Sequence, residues 1–268
     1  MNRPMNGAMN GPAPIEVRAL RKVFRQTTSG QSVVAIDRLD LDIAPREVMA
    51  IVGQTGCGKS TFFDLMIGLE APTEGTLHIG DKSPHADFDF FRGHIATVFQ
   101  QDRLLPWRSA LDNVKLPLEL IKLPEDEQHK RSLHWLERLG LGNFTSAYPH
   151  ELSGGMRQRV AIARAFAVQP SILLADEAFG HLDEVTAAEL RERFLALARE
   201  CGSTAILITH QLEEAIGVGD RIIVFGKSAK LLADIHVARW GKSDYGVLRE
   251  AIQATLQSNE RDARLVRP

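Results

Sequence analysis

The chain has 268 residues, 44% hydrophobic and 25% charged, which suits one large domain or two packed lobes and excludes a chain too polar to form a core. Its formal charge of −2 gives no overall basic field of the kind that draws nucleic acid or an anionic membrane surface. Two cysteines, Cys57 and Cys201, make no disulfide framework and point to a reducing compartment, and no run reaches the roughly 18 apolar residues of a spanning helix.

Residues 1–14, rich in Asn, Gly, Pro and Met and lacking the apolar centre of a secretory signal, read as a disordered tail. Short alternating pieces, Ile15 to Arg18 and Leu39 to Ile43, split by a polar turn at Gln26 to Gln31, predict an antiparallel strand region. The apolar run Val48-Met49-Ala50-Ile51-Val52 ends at Gly53 and predicts a strand buried on both faces of a parallel sheet.

Gly53-Gln54-Thr55-Gly56-Cys57-Gly58-Lys59-Ser60-Thr61 follows, with the spacing G-x-x-x-x-G-K-[ST] between that strand and a helix. Gly53, Gly56 and Gly58 let backbone N–H groups curl around a β-phosphate, and the helix N-terminus adds partial positive charge. Lys59 is placed to reach the β- and γ-phosphates, Ser60 to offer its hydroxyl to Mg²⁺, and Thr61 to make a further phosphate contact. Cys57 reads as a small residue that fits the loop and as a reporter thiol, rather than as a redox group.

Between Gln101 and Pro149 the strand signal fades. Glu125 to Leu139 reads as a helix introduced by Pro124 and closed by Gly140, with Leu133, Leu136 and Leu139 at core spacing. A helix from Gly155, a strand from Ser171 to Ala175, a helix from Glu184 and strands Thr204 to Thr209 and Arg221 to Phe225 return the chain to a parallel sheet. Leu248, Ile252 and Leu256 mark one face of a last amphipathic stretch. The strand from Ser171 ends in Asp176-Glu177, a pair at a strand end where open α/β sheets place ligands. Asp176 suits Mg²⁺ and Glu177 suits an attacking water.

Leu152-Ser153-Gly154-Gly155-Met156-Arg157-Gln158-Arg159 closely resembles the signature of the ATP-binding-cassette (ABC) family. The resemblance covers about Ile15 to Phe225 and implies an α/β fold: a P-loop NTPase core of RecA type with an antiparallel β subdomain and an inserted helical subdomain. The ATP-binding domain would span 15–240, its helical subdomain about 101–165, and a C-terminal helical extension 241–268.

The resemblance also implies roles. Gln100, rather than Gln101, matches the glutamine that senses Mg²⁺. Ser153, Gly154 and Gly155 would cap the γ-phosphate held by a second copy of the chain, in a head-to-tail dimer with two ATP. Asp183, in Gly180-His181-Leu182-Asp183, would reach across that dimer, and His210 would bond the γ-phosphate and help place the water. Phe24 is the candidate for stacking on adenine, the alternative being a core residue. Two departures are Ala178, where importer cassettes usually carry proline, and His181, where the family usually has alanine.

Arg103-Leu104-Leu105-Pro106-Trp107-Arg108 with Asp112-Asn113-Val114 is similar to importer cassettes of the nitrate, sulfonate and taurine group. Leu104, Leu105 and Trp107 would form an apolar socket for a membrane permease, or close the core between lobes. Gly226-Lys227-Ser228-Ala229-Lys230 lacks the proline-rich turn associated with that group. The expectation is an ATP-hydrolysing transporter subunit with ATP and Mg²⁺, peripheral on the cytoplasmic face of the inner membrane. It would work with permease subunits and, indirectly, a solute-binding protein, and without nucleic acid. An exporter or lipid-transport cassette, and a soluble non-transport cassette, are the alternatives.

Overall fold

The computed structural model describes residues 11–25, 31–180 and 182–265. Most of the expected tail, most of the turn at Gln26 to Gln31, and His181 lie outside the described residues. In chain order the elements begin with β1 (Ile15–Arg25), β2 (Ser32–Ile43), β3 (Val48–Gly53), α1 (Lys59–Met66), β4 (Glu74–Ile79), α2 (Phe88–Phe91) and β5 (Ile95–Phe99). Next come α3 (Ala110–Leu120), α4 (Glu125–Arg138), α5 (Gly154–Ala167), β6 (Ile172–Asp176) and α6 (Glu184–Glu200). The chain closes with β7 (Thr204–Thr209), α7 (Leu212–Val218), β8 (Arg221–Phe225), β9 (Leu231–His236) and α8 (Tyr245–Leu265). These make two compact units, one from residues 13–88 and 206–268 and the other built on residues 89–205.

In the first unit, β1 runs antiparallel to β2 from Ile15↔Ile43 to Arg25↔Ser32, and antiparallel to β4 on its other side. Ile15, Val17 and Leu20 are buried, and the alternation skips where the register shifts between Val17 and Leu20. The sequence reading named only the ends of β1 and β2. It passed over β4, whose alternating Leu77 and Ile79 carry a weak period-two signal in a short segment. β3 pairs in parallel with β8, Met49↔Arg221 to Gly53↔Phe225, and β9 adds antiparallel to β8 as a half-exposed strand. Every residue of β3 is buried, as a parallel strand covered on both faces requires.

α8 buries Leu248 and Ile252, whereas Leu256 is only half-buried. Arg221 fastens the β8 end of this unit, donating from Nε and Nη2 to both carboxylate oxygens of Asp234 at 2.6 Å and from Nη1 to Asp42 O at 2.7 Å. The paired guanidinium holds the Asp234 carboxyl below its ordinary range.

The second unit sets the parallel pair β5 and β6 among helices, with Phe99 level with Asp176 at the ends of the two strands. α3 starts at the N-cap Ser109, whose hydroxyl accepts from Asp112 N at 3.1 Å. α4 has Glu125, Asp126 and Glu127 in its first turn, facing the positive end of its dipole. Its end is closed by Gly140 at φ 75, with Leu141 N donating to Leu136 O at 2.7 Å. The expected core face of α4 is corrected: Ser132, Trp135, Leu136 and Leu139 are buried, and Leu133 is only half-buried. The buried stripe follows i, i+3, i+4 and i+7 from Ser132, and Leu133 lies at its margin.

Trp135 stacks on Phe166 of α5 at 5.1 Å, Phe166 meets Phe194 of α6 edge-on at 5.6 Å, and Phe194 meets Phe179 at 5.8 Å. Phe166 is fully buried at the middle of this chain of rings. Phe166→Ala removes both ring contacts and leaves a cavity. We expect it to destabilise the protein by about 3–5 kcal/mol, read as a lowered midpoint of urea unfolding.

Candidate functional sites

In the first unit, the backbone at the end of β3 leaves no room for side chains at two positions. A Cβ on Gly53 would lie 2.6 Å from Phe225 O and 2.7 Å from Cys57 Sγ, and one on Gly58 would lie 2.5 Å from Ala35 O. Gly58 also has φ 115, in the region that L-residues avoid. Gly58 is the N-cap of α1 and supplies no side-chain cap, so the first-turn N–H groups of the helix are left to a ligand.

Lys59 is folded back against this loop, its Nζ donating to Gly53 O at 2.6 Å and Gln54 O at 3.0 Å. Gln54, Thr55, Gly56 and Ser60 are exposed, and Thr61 is half-buried. A concave turn of backbone, an uncapped helix start and a buried ammonium group fit a polyphosphate. Cys57 is buried and its O accepts from Ala229 N at 2.6 Å. Burial pushes its thiol above the ordinary value, with Lys59 pulling the other way. Its buried place in the loop is that of a packing residue.

Phe24 lies near the end of β1 opposite Val33, 36% exposed, and so is not a core residue. Lys22 Nζ sits 4.9 Å from its ring centroid while donating to Glu70 Oε2 at 2.6 Å and Ala71 O at 2.8 Å. His210 is the first exposed residue after the fully buried β7. The turn that carries it is fastened from below, where buried Glu214 is hydrogen-bonded to the Thr209 hydroxyl and that hydroxyl accepts from Gln211 N at 3.0 Å.

In the second unit, β6 delivers Asp176 and Glu177, both half-buried, and β5 delivers the exposed Gln100. Glu177 has φ 48, a left-handed conformation that costs a non-glycine residue about 1–3 kcal/mol and has to be held by its surroundings. Gly180 N donates to Glu177 O at 3.1 Å. The signature segment opens α5: Ser153 is the N-cap, its hydroxyl accepting from Met156 N at 3.3 Å. A Cβ on Gly155 would come within 3.2 Å of Thr186 Cγ2 at the start of α6. Gly154 has more space, the nearest atom being Arg157 Nη2 at 3.9 Å. Asp183 caps α6, accepting from Thr186 N at 3.0 Å, and this bond holds its carboxyl below the usual range.

Residues that the sequence reading left without a role tie these pieces together within the second unit. Arg157 donates to Asp102 Oδ2 at 2.9 Å and Leu152 O at 2.8 Å, and Arg164 donates to Asp102 O at 2.6 Å and Arg103 O at 2.8 Å. Buried Gln158 donates to Phe99 O at 3.1 Å and Ala178 O at 2.7 Å. Gln158 stands inside the quoted signature, and a polar residue at a position of α5 that the helical period turns inward was the available signal.

The family model described as ABC transporter matches residues 36–180. The taurine import ATP-binding protein TauB of Rhizobium johnstonii is 37% identical over 255 residues, covering 89% of this chain and 95% of that protein. A methionine import ATP-binding protein, MetN of Xanthomonas campestris pv. campestris, is 42% identical over 214 residues, covering 78% of this chain and 63% of that one. Among solved structures, the ATP-binding cassette MJ0796, a dimer in a post-hydrolysis state bound to ADP and Pi, matches with a TM-score of 0.74 and 32% identity, covering 83% of this chain and 98% of that one. CbiO1 of Clostridium perfringens, part of a transporter complex, matches with a TM-score of 0.76 and 26% identity, covering 94% of this chain and 99% of that one.

The chain belongs to the ABC transporter family, as an ATP-binding cassette. It binds ATP and is an ATPase of the kind that powers transport. Its fold is the α/β fold of that family, as the sequence resemblance led us to expect.

Gly58→Ala would put a methyl group 2.5 Å from Ala35 O on a backbone at φ 115. We expect nucleotide affinity to fall at least about tenfold, near 1.4 kcal/mol, in titrations with a fluorescent ATP analogue.

Proposed function

We propose that this cassette is the ATP-hydrolysing subunit of an importer for a small anion such as nitrate, a sulfonate or taurine. The observation that carries this reading is the 37% identity with a taurine import ATP-binding protein along nearly the whole of both chains. The segment from Arg103 to Arg108 supports it from the residues. Methionine import proteins share similar identity over less of their own length.

The mechanism follows from what each group can do. Phosphate charge is met by the loop N–H groups from Gln54 to Thr61, by the α1 start and by Lys59, while Phe24 offers an exposed ring for adenine. Ser60, Gln100 and Asp176 offer a hydroxyl, an amide and a carboxylate, the hard oxygen ligands that Mg²⁺ takes together with phosphate oxygens. Mg²⁺ would supply the charge that offsets the β- and γ-phosphates. Glu177 polarises the attacking water as general base, and His210 bonds the γ-phosphate and helps aim that water.

Ser153, Gly154 and Gly155, at the start of α5, present a hydroxyl and N–H groups that suit a second anion, the γ-phosphate held by another copy of the chain. The dimeric state of a related cassette supports this pairing. Asp183 would join the same interface. ATP binding closes the pair, hydrolysis reopens it, and the permease follows the motion.

No helix among the described residues is long and apolar enough to cross a membrane. In this reading the cassette sits at the cytoplasmic face of the inner membrane against its permease. The segment after Gln100 is built for docking. Asn113 Oδ1 accepts from Leu105 N at 2.8 Å, Asn113 Nδ2 donates to Leu105 O, Arg108 O and Ser109 O, and Arg108 pairs with Glu119 at 2.9 Å. On this braced loop Trp107 is 71% exposed. Leu104 is buried, which removes it from the expected socket and makes it a core residue, so the apolar contact falls to Trp107 and half-buried Leu105.

Glu177→Gln keeps the shape and removes the base. We expect turnover to fall by at least about a hundredfold while ATP binding is retained and a dimer with two ATP accumulates, seen by size-exclusion chromatography. Purified with ATP from solubilised membranes, this variant should bring a permease with it; recovery of ribosomes or nucleic acid instead would overturn the transport reading. Trp107→Ala should weaken that attachment at least about tenfold, as loss of a buried aromatic anchor does, with co-purified permease as the measurement.

A further inference from the structure

We propose that Gln158 is a positioning residue for hydrolysis: its side-chain amide fastens the segments that carry Gln100 and Glu177, and so fixes the geometry of water attack. The inference rests on the reading of those two residues given above.

Gln158 lies on α5, is fully buried, and donates to Phe99 O and Ala178 O from a single nitrogen. Phe99 is the residue before Gln100, and Ala178 is the residue after Glu177. Both bonds reach main-chain carbonyls just past or at the ends of the paired strands β5 and β6, where Phe99 faces Asp176. Because both partners are carbonyl acceptors, only an NH₂ group can serve them, which fixes the orientation of the amide on chemical grounds.

The oxygen of the same amide, Gln158 Oε1, is buried and has no hydrogen-bond partner among the described residues. An unsatisfied buried acceptor opposes folding. A residue needed only to fill this space would be apolar, with methionine matching the volume and leaving no polar atom behind. The amide therefore works through its donors. The left-handed Glu177 needs restraint, and the chain just after its carboxylate-bearing Cα receives two bonds: Gly180 N to Glu177 O, and Gln158 to Ala178 O. α5 also carries the signature at its start, so movement of that helix is transmitted to both catalytic segments through one side chain.

Gln158→Met keeps the volume and removes the donors, and Gln158→Asn keeps the NH₂ group but withdraws it from both carbonyls. ATPase kinetics of the full chain, amide hydrogen exchange and thermal unfolding would be measured for both variants beside Glu177→Gln. We expect kcat to fall at least about tenfold while KM for ATP changes less than about threefold, and exchange to quicken in peptides covering 99–102 and 177–182. Wild-type kcat in either variant, with Glu177→Gln inactive, overturns the proposal. So does a parallel loss of kcat and ATP affinity with exchange raised throughout, which marks a packing role. Should Gln158→Met fail to fold, Gln158→Asn decides by the same criteria. If Glu177→Gln keeps its turnover, the catalytic reading of Glu177 fails, and the exchange data still judge whether Gln158 fastens the two segments.

Discussion

At the end of β3 the chain turns within contact distance of Phe225 O and Ala35 O, and only because Gly53 and Gly58 carry no Cβ can it do so. The rest of the first unit is arranged around this approach. β8 holds Phe225 beside Gly53 in register, and the Phe225 ring meets Phe62 of α1 edge-on at 5.9 Å, so strand, loop and helix are locked to one another. Lys59 lies against this fixed backbone, on the carbonyls of Gly53 and Gln54. A phosphate site made of backbone N–H groups depends on such rigidity, since the donors must already converge before charge arrives.

The second unit solves a different problem, which is to hold separate loops in register with a helix start. α5 does this with side chains on one face. Arg157 and Arg164 seize the segment at Asp102 and Arg103, and Gln158 takes the strand ends. The Arg103 guanidinium lies 3.6 Å from the Phe99 ring centroid, adding a cation–π contact to the same stretch. Several charged hydrogen bonds on one short segment make it stiff, and the exposed Trp107 stands on the loop that continues from it. The contacts of Asp102 and Arg103 with Arg157 and Arg164 thus join the loop that continues to Trp107 to α5, whose N-cap is Ser153.

The places of the phosphate loop before α1 and of Asp176-Glu177 at the end of β6 were legible in the sequence because strand and turn residues flank them, and the start of α5 was legible through the family resemblance of the segment around Ser153. β3, β7 and β8 were legible because buried parallel strands write continuous apolar runs. β4 and β9 were not, since short edge or half-exposed strands show little contrast between faces. The face of α4 was misphased by Leu133 because leucine tolerates a margin position while the buried Ser132 gives no apolar signal. Gln158, Asp102 and Glu214 stayed without roles for a common reason: a buried polar side chain is defined by the carbonyl or hydroxyl it reaches, and that partner is distant in sequence.

Glu177 shows why this last class matters. Its backbone lies at φ 48, and the residue that follows is Ala178, where the family resemblance leads one to expect proline. Proline removes an N–H and restricts the residue before it, stiffening a loop through its own covalent ring. Alanine supplies neither restraint. The same segment is instead held from outside, by Gly180 N on Glu177 O and by Gln158 on Ala178 O, with Ala178 itself buried. Restraint from a neighbouring helix differs from restraint within the loop in one respect. It can be moved when the helix moves, so under the proposed role of Gln158 the aim of the Glu177 carboxylate would follow the position of α5.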